Sequence, residues 1–226
     1  MTPLVLMYHS IAPAGDDPYR VTVTPERLAA QLGLLARLGL RGCSMRELLA
    51  GPGSRRVGLT FDDGYRDFAT AALPALRRHG FTATVFVLAG RLGGDNGWEA
   101  AGPVRPLLTA DEVRAVAAAG MEVGSHGLRH RRLPELTEAE LAAEVLESQA
   151  VLGDLTGAPV TGFCYPYGAC GPRELAVVEA AGYGYGAAVG APALPRRWAF
   201  PRTYAGERDT APRLAAKYLR HLVRTR

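Results

Sequence analysis

The sequence predicts an α/β fold in a single domain: a distorted or incomplete (β/α) barrel with about seven βα units. Three observations lead there. Short apolar runs alternate with amphipathic helical segments along all 226 residues, the pattern of a mainly parallel sheet. No internal repeat or long linker divides the chain, so these units belong to one sheet that can curl into a barrel. A composition of 48% hydrophobic and 21% charged residues suits one sizeable core and excludes a disordered chain.

Strand candidates are residues 4–9, 41–44, 57–62, 82–88, 121–126, 160–165 and 183–189, with another over 198–204. The helices between them have marked starts. Thr24 precedes Pro25 at a first helical position, and Leu28, Leu32, Leu35 and Leu38 follow as an apolar stripe. Ser44 with Glu47, Thr109 with Glu112, and Thr137 with Glu140 have capping-box spacing. Pro172 opens a further helix expected to stop near Gly182. Residues 91–106, rich in glycine and proline, form the long irregular segment, expected as a loop at the rim of the sheet. The basic stretch 217–226 reads as a solvated helix end complementing its own dipole, with a patch for an anionic partner as the alternative.

The net charge of +4 rests almost wholly on arginine, with Lys217 the single lysine, and gives no cause to expect a nucleic-acid partner. Three cysteines without zinc-knuckle spacing fit a reducing compartment, and pairing of Cys164 with Cys170 stays open. Met1 runs almost at once into an apolar strand with no positive leader region, and residues 155–172, uncharged but rich in glycine and proline, cannot span a membrane. A cytoplasmic location is therefore expected.

The polar residues of interest fall at the carboxyl ends of candidate strands, where active sites assemble in parallel βα architectures. In Thr60-Phe61-Asp62-Asp63-Gly64, two adjacent carboxylates point in different directions where a strand runs out. One can bind a cation while the other stays free as a base. Taken alone, the run also fits a surface turn. In Ser125-His126-Gly127-Leu128-Arg129-His130, two histidines four positions apart can reach one ion from a helical turn or a loop of similar pitch. Such a pair is often accidental, but here a carboxylate pair is available as partner. Two histidines and an aspartate leave coordination positions open for water and substrate, as a catalytic site requires.

These runs together resemble the polysaccharide deacetylases with a NodB homology domain, carbohydrate esterase family 4, over nearly the whole chain, residues 1–226. The run TFDDG matches that family's first motif, His126 and His130 its second, and Gly162-Phe163-Cys164-Tyr165-Pro166-Tyr167-Gly168, less closely, its third. The resemblance implies Asp62 as catalytic base and Asp63, His126 and His130 as ligands of one divalent metal ion, with zinc expected. It implies Tyr167 as an oxyanion donor through its backbone N–H. For the general acid, Leu219-Arg220-His221 fits a carboxyl-terminal motif of the family. Met7-Tyr8-His9-Ser10 resembles the opening motif of its permuted branch, which includes poly-N-acetylglucosamine deacetylases. The second match assigns the role to His9, with Asp16 and Asp17 the nearest carboxylates in sequence; a structural histidine at a strand end is the alternative.

Two departures stand out. Cys164 occupies the slot of an arginine that steadies the base; Arg202, in Pro201-Arg202-Thr203, is the candidate replacement, with a surface arginine as the alternative. Gly127 stands where Ser or Thr would brace the histidine loop. The activity implied is metal-dependent removal of the N-acetyl group from an amino sugar in a glycan or glycoside. The alternatives are O-deacetylation of a glycan, biosynthetic deacetylation of a small, nucleotide-linked or lipid-linked N-acetyl sugar, and a non-catalytic sugar-binding domain. The last is disfavoured because the base and all three ligand positions are present.

Overall fold

The structure, a computed structural model, describes residues 3–51, 55–190 and 194–224. Its first half runs through β1 (Val5–Tyr8), β2 (Ser10–Ile11), β3 (Thr22–Val23), α1 (Pro25–Arg37), β4 (Arg41–Cys43), α2 (Met45–Leu49), β5 (Arg56–Phe61), α3 (Leu73–Arg78) and β6 (Thr84–Val87). The second half adds α4 (Ala110–Ala118), β7 (Glu122–Ser125), α5 (Glu138–Thr156), β8 (Gly162–Cys164), α6 (Pro172–Ala180), β9 (Tyr185–Ala188), β10 (Phe200–Pro201), β11 (Thr203–Tyr204) and α7 (Ala211–Arg224). Nine strands form one sheet in the order β10-β9-β8-β7-β6-β5-β1-β11, with β4 also paired to β5. Every pairing in it is parallel.

The two ends of this sheet, β10 and β11, are consecutive in the chain with Arg202 alone between them. The sheet therefore comes round on itself into a nearly closed, distorted (β/α) barrel, as expected. Period-two alternation sorts its side chains. Leu6, Tyr8, Leu59, Phe61, Val85 and Val87 point outward into the main core beneath the helices. Val5, Phe86, Cys164, Tyr185, Ala187 and Phe200 belong to a separate cluster that fills the interior. Interior glycines make room for the aromatic rings: a Cβ at Gly124 would sit 2.6 Å from the Phe86 ring.

Where structure and sequence differ, the reasons are local. The 198–204 strand is two short strands broken at Arg202, since β10 pairs with β9 and β11 with β1 across the seam. Leu38 does not belong to the α1 stripe; it caps the helix after Arg37 and is 45% exposed. The Ser44 cap is half a box, because Glu47 turns instead to Thr82 and Arg41. Thr109 and Thr137 head complete boxes. The small β2–β3 ribbon has no sequence signal of its own. All three cysteines are free thiols. α7 runs through residue 224, while Thr225 and Arg226 of the basic stretch lie outside the described residues. Among the described residues, no helix is long and apolar enough to cross a membrane.

Candidate active site

The carboxyl ends of β1, β5, β7 and β8 and the β10–β11 seam converge on a cavity of about 350 Å³ that holds His9, Asp62, Asp63, His126, His130 and Arg202. That volume is within the usual range for a small-molecule site. Asp62 continues the ladder, its N–H donating to the Tyr8 carbonyl, so its side chain follows Thr60 into the interior. Asp63 then takes φ 71° and Gly64 φ 70°, swinging the chain off the strand. Asp63, His130 and Tyr167 are three of the four non-glycine residues with positive φ among those described. Backbone held in that region costs on the order of 1–3 kcal/mol per residue and concentrates at functional sites.

Nε2 of His126 lies 3.1 Å and Nε2 of His130 3.2 Å from the same oxygen, Asp63 Oδ1. That oxygen is buried and has no hydrogen-bond donor among the described residues. His126 Nδ1 is 2.8 Å from the Cys164 carbonyl, which can only accept. Nδ1 therefore carries the proton, and in the neutral ring Nε2 presents a lone pair toward Asp63. Lone pairs from three buried side chains facing one another fit a cation held between them, and the mixed nitrogen and oxygen donor set suits zinc. Burial alone would push the Asp63 carboxyl up; with no cation between these groups, protonated His130 and His126 take the place of one and hold the carboxyl well below the ordinary range.

Asp62 has a different neighbour. Arg202 grips it with Nη1 at 2.6 Å and Nη2 at 2.8 Å, a bidentate pair 1% and 5% exposed. The guanidinium spends its other hydrogen bonds on Thr60 Oγ1, the Ala188 carbonyl and Cys164 Sγ, and lies over the Phe86 ring. Burial pushes the Asp62 carboxyl up, and Arg202 more than offsets this, leaving it below the ordinary value. Cys164 is driven up by burial and remains a thiol. Asp62, His126 and Cys164 also cluster, but there Asp62 Oδ2 and Cys164 Sγ both already accept from Arg202 Nη2.

His9 projects beyond β1 with Nε2 4.0 Å from Asp62 Oδ2, and its buried Nδ1 has no hydrogen-bond partner among the described residues. The carboxylate beside it is Asp62, not Asp16 or Asp17; Asp17 is instead bound to the Val21 and Thr22 N–H groups. His221 lies on α7 and does not line the cavity. Tyr167 packs its ring 4.4 Å from that of His130, and its N–H has no backbone acceptor among the described residues.

Several supports lie outside the motifs. The histidine loop is not helical; Gly127 has φ 80°, and the Leu128 and Arg129 N–H groups donate to Glu144 Oε2. Glu144, from α5, thus braces the loop where a Ser or Thr at position 127 was expected to. Its sequence signal was its place on the buried stripe of α5, between Leu141 and Val145. Trp98 stacks on His130 at 4.6 Å and, with Glu99, brings the 91–106 loop into the cavity wall. Nothing in the sequence pointed to these two, since loop contacts leave no periodic trace.

A family model described as Polysaccharide deacetylase matches residues 50–186. YxkH of Bacillus subtilis (strain 168) is 27% identical over 188 residues, 80% of this chain and 62% of that protein. The chitooligosaccharide deacetylase of Bradyrhizobium sp. (strain ANU 289) is 34% identical over 151 residues, 66% of this chain and 61% of that protein. The chain thus spans less than two thirds of either relative. Among solved structures, Streptococcus pyogenes deacetylase PplD in complex with acetate superposes with a TM-score of 0.82 at 22% identity, covering 96% of this chain and 97% of that one. IcaB from Ammonifex degensii gives 0.78 at 24%, covering 95% and 96%. At such identities these two likenesses speak for the fold.

Proposed function

The chain belongs to the polysaccharide deacetylase family, and from that premise we propose that it hydrolyses the N-acetyl group of an amino sugar in a glycan or glycoside. The observation that carries this reading is the division of labour between adjacent carboxylates. Asp63 faces two histidine nitrogens, while Asp62 is gripped by a cation and turned toward the cavity. Asp63, His126 and His130 would hold one divalent ion, zinc by its donor set. Bound there, the ion supplies Lewis acidity that lowers the pKa of a water and polarises the acetyl carbonyl.

The chain's own residues do the rest. Asp62 accepts the proton of the attacking water as general base. Arg202 fixes the orientation of that carboxylate and keeps it ionised until the proton arrives. The Tyr167 N–H donates to the oxyanion, an interaction of a kind worth roughly 3–4 kcal/mol for one donor. His9 returns a proton to the amine nitrogen as the C–N bond breaks, because an amide nitrogen leaves poorly as an anion. Acetate and a free amino sugar result.

His9, just past the end of β1, and Arg202, in the break between β10 and β11, lie outside the matched residues 50–186. This supports treating residues 1–226 as one functional domain. The test is acetate release by the metal-loaded protein from N-acetylated monosaccharides, chito-oligosaccharides, polymers and small glycosides. Release from at least one N-acetylated sugar, abolished by chelation, is expected. Release from O-acetylated glycans alone would replace the amidase reading with an esterase one.

A further inference from the structure

The mechanism commits Asp62, Asp63 and both ligand histidines, but the cavity wall holds one more carboxylate. Glu99 sits on the 91–106 loop and lines the same cavity. Its Oε2 accepts from Tyr65 Oη at 3.0 Å and from Asn96 Nδ2 at 2.7 Å. Both donors are buried, at 1% and 2% exposure. Asn96 is locked in turn, giving a hydrogen bond to the Pro103 carbonyl and taking one from the Arg105 N–H. The Glu99 N–H donates to the Asn96 carbonyl, and Tyr65 bridges to Leu107 at the foot of the loop. Glu99 Oε1, by contrast, has no hydrogen-bond donor among the described residues.

We infer that Glu99 is a specificity-determining residue whose free Oε1 accepts hydrogen bonds from ring hydroxyls of the amino sugar bound in this cavity. The inference rests on the deacetylase reading. Positioned carboxylates of this kind discriminate because hydrogen bonds to a charged acceptor are roughly twice as strong as neutral ones. A neutral amide at this position would also satisfy Tyr65 and Asn96, so fastening the loop does not account for the charge. The charge also defines the ligand class: a sugar offering hydroxyl donors at this wall, and not an acidic substituent.

The test is calorimetric titration of the metal-loaded protein with tri-N-acetylchitotriose, run in an Asp62→Asn background so that the trimer is not consumed, comparing the native Glu99 with Glu99→Gln, while acetate release is followed with Asp62 intact. Glutamine keeps an acceptor for Tyr65 and Asn96, and metal content and melting temperature report whether the fold survives. The expected result is a Kd weakened about tenfold, the scale of losing one charge-assisted hydrogen bond, with KM for acetate release rising in proportion and kcat falling far less. An unchanged Kd, or no binding of the trimer with the native Glu99, overturns the assignment. Binding of the trimer without acetate release when Asp62 is intact points to failure of the deacetylase reading instead, and the Kd comparison still decides Glu99.

Discussion

The two ends of the barrel interior each bury acidic groups, and they treat them in opposite ways. At the amino-terminal end, Glu122 is saturated. Its Oε1 accepts from Tyr185 Oη at 3.0 Å and Thr161 Oγ1 at 3.3 Å, and its Oε2 from Thr84 Oγ1 at 2.6 Å and the Arg46 N–H at 2.8 Å. At the carboxyl-terminal end, Asp63 Oδ1 is buried too and has no donor among the described residues, and it faces the Nε2 atoms of His126 and His130. A buried polar group left unsatisfied costs on the order of 1–3 kcal/mol, more when charged. The saturated carboxylate therefore reads as a fastening of the lower barrel, and the open one as a place kept for a ligand.

The largest effect expected from this contrast comes at the open end. His126→Ala should lose both bound metal and measurable turnover, read by elemental analysis and acetate release on the purified variant. Retention of a full equivalent of metal would remove His126 from the ligand set.

His9→Ala comes next. It should depress kcat on an N-acetyl amide by roughly 10²–10⁴-fold, the range for a positioned acid, with metal content unchanged. The loss should be much smaller on an activated aryl acetate, whose oxygen leaves without protonation. His221→Ala, outside the cavity, serves as the comparison and should alter either rate by less than about twofold. An equal loss on both substrates for His9→Ala would return this residue to a structural role.

The smallest effect on activity belongs to the saturated end. Glu122→Gln leaves an amide among donors placed for a carboxylate and should lower stability by about 1–3 kcal/mol. Denaturant unfolding would register this, and metal content should not move. Metal loss in this variant would mean that the two ends are coupled more tightly than the contrast assumes.

The contrast also marks what a sequence can reveal. Most barrel strands were legible because they are short apolar runs, and the site followed because Asp62, Asp63, His126 and His9 all sit where such runs stop. The break at Arg202 was not legible, since it depends on closure of the sheet: β10 and β11 are two residues each and pair with strands on opposite sides of the seam. That closure aims the Arg202 guanidinium inward at Asp62, and a linear pattern holds no record of it. Glu144 was half legible, as a charge on a buried helical stripe, but its acceptance of two loop N–H groups was not. Leu38 failed for a simpler reason: helical spacing continues one step past the point where α1 stops.

The division of labour between the adjacent aspartates is the central claim, and metal content measured beside turnover in Asp62→Asn and Asp63→Asn tests it most directly. Asp62→Asn should keep one equivalent of metal while turnover falls by at least about 10²-fold, the scale of losing a general base. Asp63→Asn should lose metal and turnover together. Equal metal loss in both variants, or full turnover in Asp62→Asn, would contradict the account.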